Sequence, residues 1–396
     1  RTIPAVIVGV VVVGLLTGAG AMLRHSDGRE TISTSTTAAA RASASRSRST
    51  SASFVGVGVG AGVAGPSSRT DPPADTSPAT TTADPRRGSG RPVVLAFGGD
   101  VHFEGVLRTK LLHDPASVLA PVAPILSRAD LAMVNLETAL TGRGTPEAKK
   151  YQFRAPASAL DALASAGVDL ATMANNHGRD FGAVGLQDTL AIIAAGKVPI
   201  AGIGSDAAHA YAPSRFTFNG QRIAVIAATD VLDNNLERAW TATDTQPGLA
   251  SAKQQDRLLT AVRGARVDTD TLVVFLHWGV EEQACPSARQ RQLARSLVDA
   301  GADVIVGSHA HRQQGAGRLG DAFVDYGLGN FAFYNERGTA GVSGVLVVTV
   351  TGRQVDGYSW VPARIRGGSP TPLAGAPADQ DVRAWSALRS CTGLTP

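Results

Sequence analysis

Cysteine is nearly missing from this chain: 396 residues contain two, Cys285 and Cys391, and neither sits in a C-x-x-C pattern. Spacing alone leaves two readings open: a disulfide formed outside the reducing compartments, tying the C-terminal tail to the loop after HWGVEE, or two unrelated thiols. Charge is missing from residues 3–23, IPAVIVGVVVVGLLTGAGAML, a run long enough to cross the ~30 Å hydrocarbon core of a bilayer as a helix. Residues 1–23 are therefore expected to be a transmembrane anchor or a signal segment, since Ala19, Gly20 and Ala21 resemble an A-x-A cleavage site. Aromatic residues are missing from residues 24–91 apart from Phe54. Ser, Thr, Ala, Pro and Gly with scattered Arg cannot bury enough apolar surface to offset the entropy of ordering, so this stretch reads as a disordered linker. Its Gly/Val alternation at 55–63 is too short for a span and too glycine-rich for a strand.

An excess of one charge sign is also missing from the rest. The formal net charge is +4, but residues 1–92 hold ten Arg against five acids, which leaves 27 basic and 28 acidic residues from 93 onward. A nucleic-acid partner is not expected, whereas the basic linker suits contact with anionic lipid or wall polymer. Arg24 and Arg29, close behind the apolar run, weigh against export of that side by the positive-inside rule. The stalk-like linker outweighs them, and the expectation is a single-pass membrane protein with an extracytoplasmic domain, or a secreted one if the segment is cleaved.

What is present begins at residue 92. Short apolar runs alternate with helix-length amphipathic segments, the pattern of βα repeats around a largely buried sheet. Strands are expected at 93–97, 131–134, 170–173, 200–203, 223–227, 272–276, 304–306, 323–326, 345–350 and 355–361. Helices are expected at 158–166, 183–195, 252–265 and 288–300, most of them ending near a glycine. The later strands have no helices between them, so an α/β domain over 92–396 is expected, with two packed sheets of mixed character and helices outside.

Chemistry gathers where these strands end. GSHAH follows the strand at 304–306, and in extended backbone residues i and i+2 project to one side, so His309 and His311 would aim at one small volume. The same position in the other strands holds Asp100 and His102 in FGGDVH, Asn135 and Glu137 in NLE, Asn175, Asn176 and His177 in ANNH, and His277 in HWG. Five of eight histidines fall at these ends, and the carboxyl ends of strands converge in open α/β sheets, which predicts one pocket. Carboxylate, amide oxygen and imidazole without thiolate suit Mn, Fe, Zn or Mg rather than copper or an iron–sulfur cluster. The donors outnumber what one tetrahedral ion takes, so two divalent metal ions are expected, with Glu137 or Asp100 as the carboxylate placed to bridge them.

The ordered set GDVH, NLE, ANNHGRDFG, HWGVE, GSHAH and GLGNF, across residues 93–335, resembles the poly-gamma-glutamate capsule synthesis family CapA, a branch of the calcineurin-like metallophosphoesterase superfamily. The resemblance implies a four-layer α/β/β/α sandwich. It implies Asp100, His102 and His311 on one metal, Asn176, His277 and His309 on the other, and Glu137 between them. His177 matches the histidine that protonates a leaving group, Asp180 would orient it, and Tyr326 and Asn330 of DYGLGNF would line a substrate rim with Asn135 and Asn175. The tail around Cys391 looks like the end of some family members. One departure stands out: the larger superfamily bridges with the aspartate of a G-D motif, whereas NLE supplies a glutamate, one methylene longer, which bears on metal spacing and substrate. Ala310 between the two histidines leaves their disposition unchanged.

Two functions from different classes follow. One is an extracytoplasmic metal-dependent hydrolase acting on a phosphoester or on an amide of a cell-surface polymer. The other is a membrane-tethered assembly or export component that binds poly-gamma-glutamate or another anionic polymer without cleaving it, alongside other capsule-synthesis proteins. A wall-binding module with structural ligands is a third reading, and it leaves His177 without a role.

Overall fold

A computed structural model describes residues 85–396. The apolar run at 3–23 and the linker up to residue 84 lie outside the described residues. The last part of the expected linker, residues 85–91, makes contacts with the domain. Pro85–Arg87 forms a 3-10 turn, Arg86 pairs with Asp321 at 2.7 Å, and the Gln221 side-chain amide donates to the carbonyls of Arg87 and Arg91 at 3.0 and 2.9 Å. Composition gave no sign of this, because these contacts are polar and use backbone. Among the described residues no helix is long and apolar enough to cross a membrane.

Two mixed sheets carry the domain. The larger runs Ser369–Pro372, Gln354–Arg366, Val342–Thr351, Val93–Val101, Leu131–Leu136, Leu170–Thr172, Ile200–Ala201, with Asn330–Ala332 paired to the far end of Val93–Val101. The smaller runs Ala316–Leu319, Ala322–Asp325, Val304–His309, Thr271–Trp278, Gln221–Thr229, Ser214–Phe218. In the larger sheet Val93–Val101 to Ile200–Ala201 run parallel and the strands on the other side of Val93–Val101 antiparallel. In the smaller sheet the central strands are parallel and the two edge strands antiparallel.

Side-chain alternation explains the stacking. Leu95, Phe97 and Met133 of the larger sheet share a core with Val225, Val273 and Phe275 of the smaller, and Phe97 meets Phe275 edge-on at 6.2 Å. The intervening residues face outward onto helices: Ala96 and Val134 join Leu163 of Ser158–Ser165 and Leu186 of Gly182–Ala195. On the other side, Val274 and Leu276 join Leu258 of Gln255–Arg266 and Leu293 and Leu297 of Ala288–Asp299. The layers are thus helix, sheet, sheet, helix, with about 1.5–3 kcal/mol from each fully buried Val, Leu or Phe side chain. Ala288–Asp299 starts where Ser287 Oγ accepts from Gln290 N–H while the Gln290 side chain accepts from Ser287 N–H, a reciprocal cap.

Three expectations change. The strand at 200–203 is broken at Gly202, whose φ of 88° suits glycine and where a Cβ would lie 2.5 Å from the Ala174 Cβ. Ile203–Gly204 then pairs with Gly248–Leu249 in a separate ribbon. The helix expected at 252–265 starts later, at Gln255, and runs to Arg266, and further helices form outside the expected set, among them Val106–His113 and Gly375–Ala387.

Cys285 and Cys391 form a disulfide with Cα atoms 5.7 Å apart, across 106 residues of chain. Closing a loop of that length restricts the unfolded chain by about 4–5 kcal/mol in the chain-entropy treatment. The double variant Cys285→Ser/Cys391→Ser is expected to unfold at distinctly lower denaturant, with the tail from Gly375 released first. Equal unfolding midpoints for the two proteins would rule this out.

Candidate metal centre

The parallel strands of both sheets end at one edge of the domain. Register sets Asp100 beside Asn135 and Asn330, Asn135 beside Thr172, and His277 beside Ser308. Extended backbone stops at His309, and both His309 (φ 89°) and His311 (φ 53°) are left-handed. The rings do converge, with centroids 5.8 Å apart, but by a tight turn rather than by strand alternation. A left-handed non-glycine residue costs about 1–2 kcal/mol, and strain of this kind collects at functional sites.

The turn completes two overlapping groups, Glu137 with His277 and His309, and Asp100 with Glu137 and His311, each with its ligand atoms within 4.8 Å of one another. Glu137, common to both, is fully buried, and neither of its carboxylate oxygens has a hydrogen-bond partner among the described residues; His309 Nδ1 is likewise unpartnered. A buried carboxylate left this way is costly unless a cation sits against it. Burial, then Asp100, pushes the Glu137 carboxyl well above its usual value. Burial lowers His309 to about 3 and His277 well below the usual imidazole value, so both rings are neutral and offer lone pairs. These donors fit divalent metal ions.

Neighbours aim the donors. Asp100 accepts from the Asn135 side-chain amide at 2.8 Å and from His309 N–H at 3.1 Å. His277 Nδ1 lies 3.0 Å from Ser308 Oγ, which turns Nε2 towards Asn176 Oδ1 at 2.7 Å and Glu137 Oε1 at 3.5 Å. His311 Nδ1 lies 2.9 Å from Asn330 Oδ1. His177 Nδ1 lies 2.5 Å from Asp180 Oδ2, and its Nε2 faces Glu137 Oε1 at 3.9 Å. Burial, reinforced by Lys149, holds His177 well below its usual value, and burial lifts Asp180 to about 7 against the pull of Lys149.

Four expected residues sit elsewhere. His102 stays out of the cluster: Glu104 N–H and Tyr334 N–H point at its two ring nitrogens at 3.0 and 3.1 Å, and the ring stacks on Phe153 at 4.6 Å. Asn135 and Asn175 are no rim but buried brackets, the Asn175 amide donating to Asn135 Oδ1 and to the Leu136 carbonyl. Tyr326 packs in the core behind the smaller sheet, stacked on Trp278 at 5.7 Å; the strand before it ends at Asp325, opposite Val306 and short of His309. Asn330 does border the cleft, as the buried neighbour of His311.

Residues 94–335 match the family described as bacterial capsule synthesis protein PGA_cap. The chain belongs to that family. It is similar to the capsule biosynthesis protein CapA of Bacillus anthracis, 30% identical over 270 residues that cover 65% of this chain and 64% of that protein. The PGA biosynthesis protein CapA of Bacillus subtilis (strain 168) is 31% identical over 220 residues, covering 55% and 57%. The chain thus spans less than two thirds of either relative's length. Among solved structures, a hypothetical protein from Thermus thermophilus aligns with a TM-score of 0.45 at 19% identity, over 68% of this chain and 99% of that one.

In this PGA_cap chain the cleft above the centre measures about 290 Å³, and residues that sequence reasoning passed over form much of its wall, among them Lys149, Tyr151, Phe153 and Tyr334. Lys149 pairs with Asp180 at 2.9 Å, donates to the Asn176 carbonyl and lies over the Trp240 ring at 5.1 Å. Phe153 stacks on His177 at 4.0 Å. The segment KKYQF has no strand or helix period and follows no strand, so its only signal was a lysine pair beside aromatics.

Proposed function

We propose that this chain is a hydrolase with two divalent metal ions, Mn, Fe, Zn or Mg, acting outside the cytoplasmic membrane on a phosphoester or on an amide bond of a cell-surface polymer during capsule synthesis. The observation that carries the reading is Glu137, a fully buried carboxylate without a hydrogen bond, set between His277, His309, His311 and Asp100. Glu137 would bridge, with Asp100 and His311 on one side and Asn176, His277 and His309 on the other. Ions held there supply Lewis acidity at a phosphoryl or carbonyl oxygen and make a water acidic enough to attack.

The chain's own residues do the rest. Asp180 accepts a hydrogen bond from Nδ1–H of His177, which leaves the Nε2 lone pair on the cleft side to take a proton from the attacking water and then pass it to the departing oxygen or nitrogen. Lys149 holds Asp180 from the far side and anchors the Asn176 backbone, so the proton donor and a metal-binding loop share one support. Phe153 covers one face of His177 and limits water there. A four-layer metallophosphoesterase arrangement would suit this placement of donors.

The disulfide and the apolar run at 3–23 favour an oxidising compartment reached through the membrane. Relatives named for capsule and PGA biosynthesis favour an anionic polymer as the setting. Their names describe synthesis and not cleavage, which favours the second reading, a tethered component that binds the polymer. The purified full chain loaded with Mn²⁺ is expected to turn over bis(p-nitrophenyl) phosphate or gamma-glutamyl p-nitroanilide and to stop when a chelator is added. Inertness on both, with retained binding of poly-gamma-glutamate, would replace the hydrolase by the binding component.

A further inference from the structure

One carboxylate near the centre is still without a role. Glu281, in the loop after Thr271–Trp278, is exposed, yet with His309 and His311 it forms a third group whose ligand atoms lie within 4.8 Å of one another. An exposed acid beside two histidines is in itself ordinary. Two independent observations set this one apart. His309, at 5% exposure, keeps an Nδ1 with no hydrogen-bond partner among the described residues, so a polar atom of this same group is buried and unsatisfied. The loop that presents Glu281 is also fastened to the histidine turn: Glu282 N–H donates to the Ala310 carbonyl at 2.9 Å, and the Arg312 guanidinium donates to the Glu282 carbonyl at 3.0 Å. Gln314 ties the next residue, donating to the Gln283 carbonyl at 2.9 Å.

The fastening has a cost. Glu282 is left-handed at φ 62°, worth about 1–2 kcal/mol against a non-glycine residue. A loop free to relax would shed that strain. Held as it is, the loop keeps Glu281 over the two imidazoles on their solvent side.

We infer that Glu281 is a further metal ligand, closing the solvent side of the site that His309 and His311 build. This rests on the two-ion reading above. With Asp100 and Glu137 it brings a third carboxylate to two divalent ions, and being exposed it is the ligand that an incoming anion can displace. Asp100 and Glu137 are fully buried and have no such freedom.

The test is a titration of the chelator-stripped full chain with Mn²⁺, free ion being followed by electron paramagnetic resonance, for the native protein, Glu281→Gln and Glu282→Gln. Glu281→Gln is expected to weaken one of the Mn²⁺ sites about tenfold or more, the order seen when a group that supports a metal is lost. Glu282→Gln, with the same charge change one residue away, is expected to titrate as native, and all three should share one circular dichroism spectrum and one melting temperature in chelator. A native protein that binds Mn²⁺ and a Glu281→Gln protein that binds it equally well would overturn the inference and leave the two-ion reading intact. A native protein that binds no Mn²⁺ would overturn both.

Discussion

The native protein is expected to hold close to two divalent ions per chain and the His309→Ala/His311→Ala variant almost none, by elemental mass spectrometry after dialysis against metal-free buffer. His309 belongs to the group around His277 and His311 to the group around Asp100, so the double change removes an imidazole from each side of Glu137. Acid should oppose loading. Burial lowers the His311 pKa, but Glu137 and Asp100 outweigh it and raise the ring to about 10 in the metal-free protein. Below that pH the ring must lose a proton before it can bind an ion, so apparent affinity rises with pH, by about tenfold per unit for each proton displaced. Retention of two ions by the double variant would remove GSHAH from the centre.

Replacing His177 by alanine is expected to lower turnover of whichever ester or amide the protein cleaves by about 10²–10⁴-fold, the usual worth of a positioned proton donor, with metal content unchanged. Its Nε2 faces Glu137 but belongs to neither ligand group, which is why metal and rate should separate. Asp180→Asn should follow in the same direction, because an amide in place of the carboxylate can donate to Nδ1 and so favour the wrong tautomer. If His177→Ala lost its metal along with its rate, His177 would be a ligand or a structural support rather than the proton donor.

The donors themselves could be read without coordinates because strand ends are legible. An apolar run followed at once by a polar residue marks the point where a buried strand meets solvent, and Asp100, Asn135, His277 and His309 all stand at such points. The two sheets were legible as short continuous apolar runs, because their central strands are buried on both faces. Less legible were the helix at 375–387, whose one buried residue is Trp385, and the attachment of residues 85–91 to the domain, made by polar contacts that leave no hydrophobic pattern. Composition registers burial and not hydrogen bonding, so residues 85–91 look like linker in the sequence although the folded domain holds them.

By itself, then, the sequence determined the class of fold, the edge at which the chemistry lies and the kind of donor gathered there, since all three depend on local alternation and residue type. Tertiary structure alone decided the partners. Glu137 is left without a hydrogen bond, His102 is drawn into an aromatic wall by two backbone N–H groups, Tyr326 lies behind a sheet, and Lys149 and Glu281 come in from loops without a period. Apart from the Glu104 N–H on His102, these placements depend on residues far apart in the chain and on how the two sheets and their loops pack, and local sequence carries no record of that.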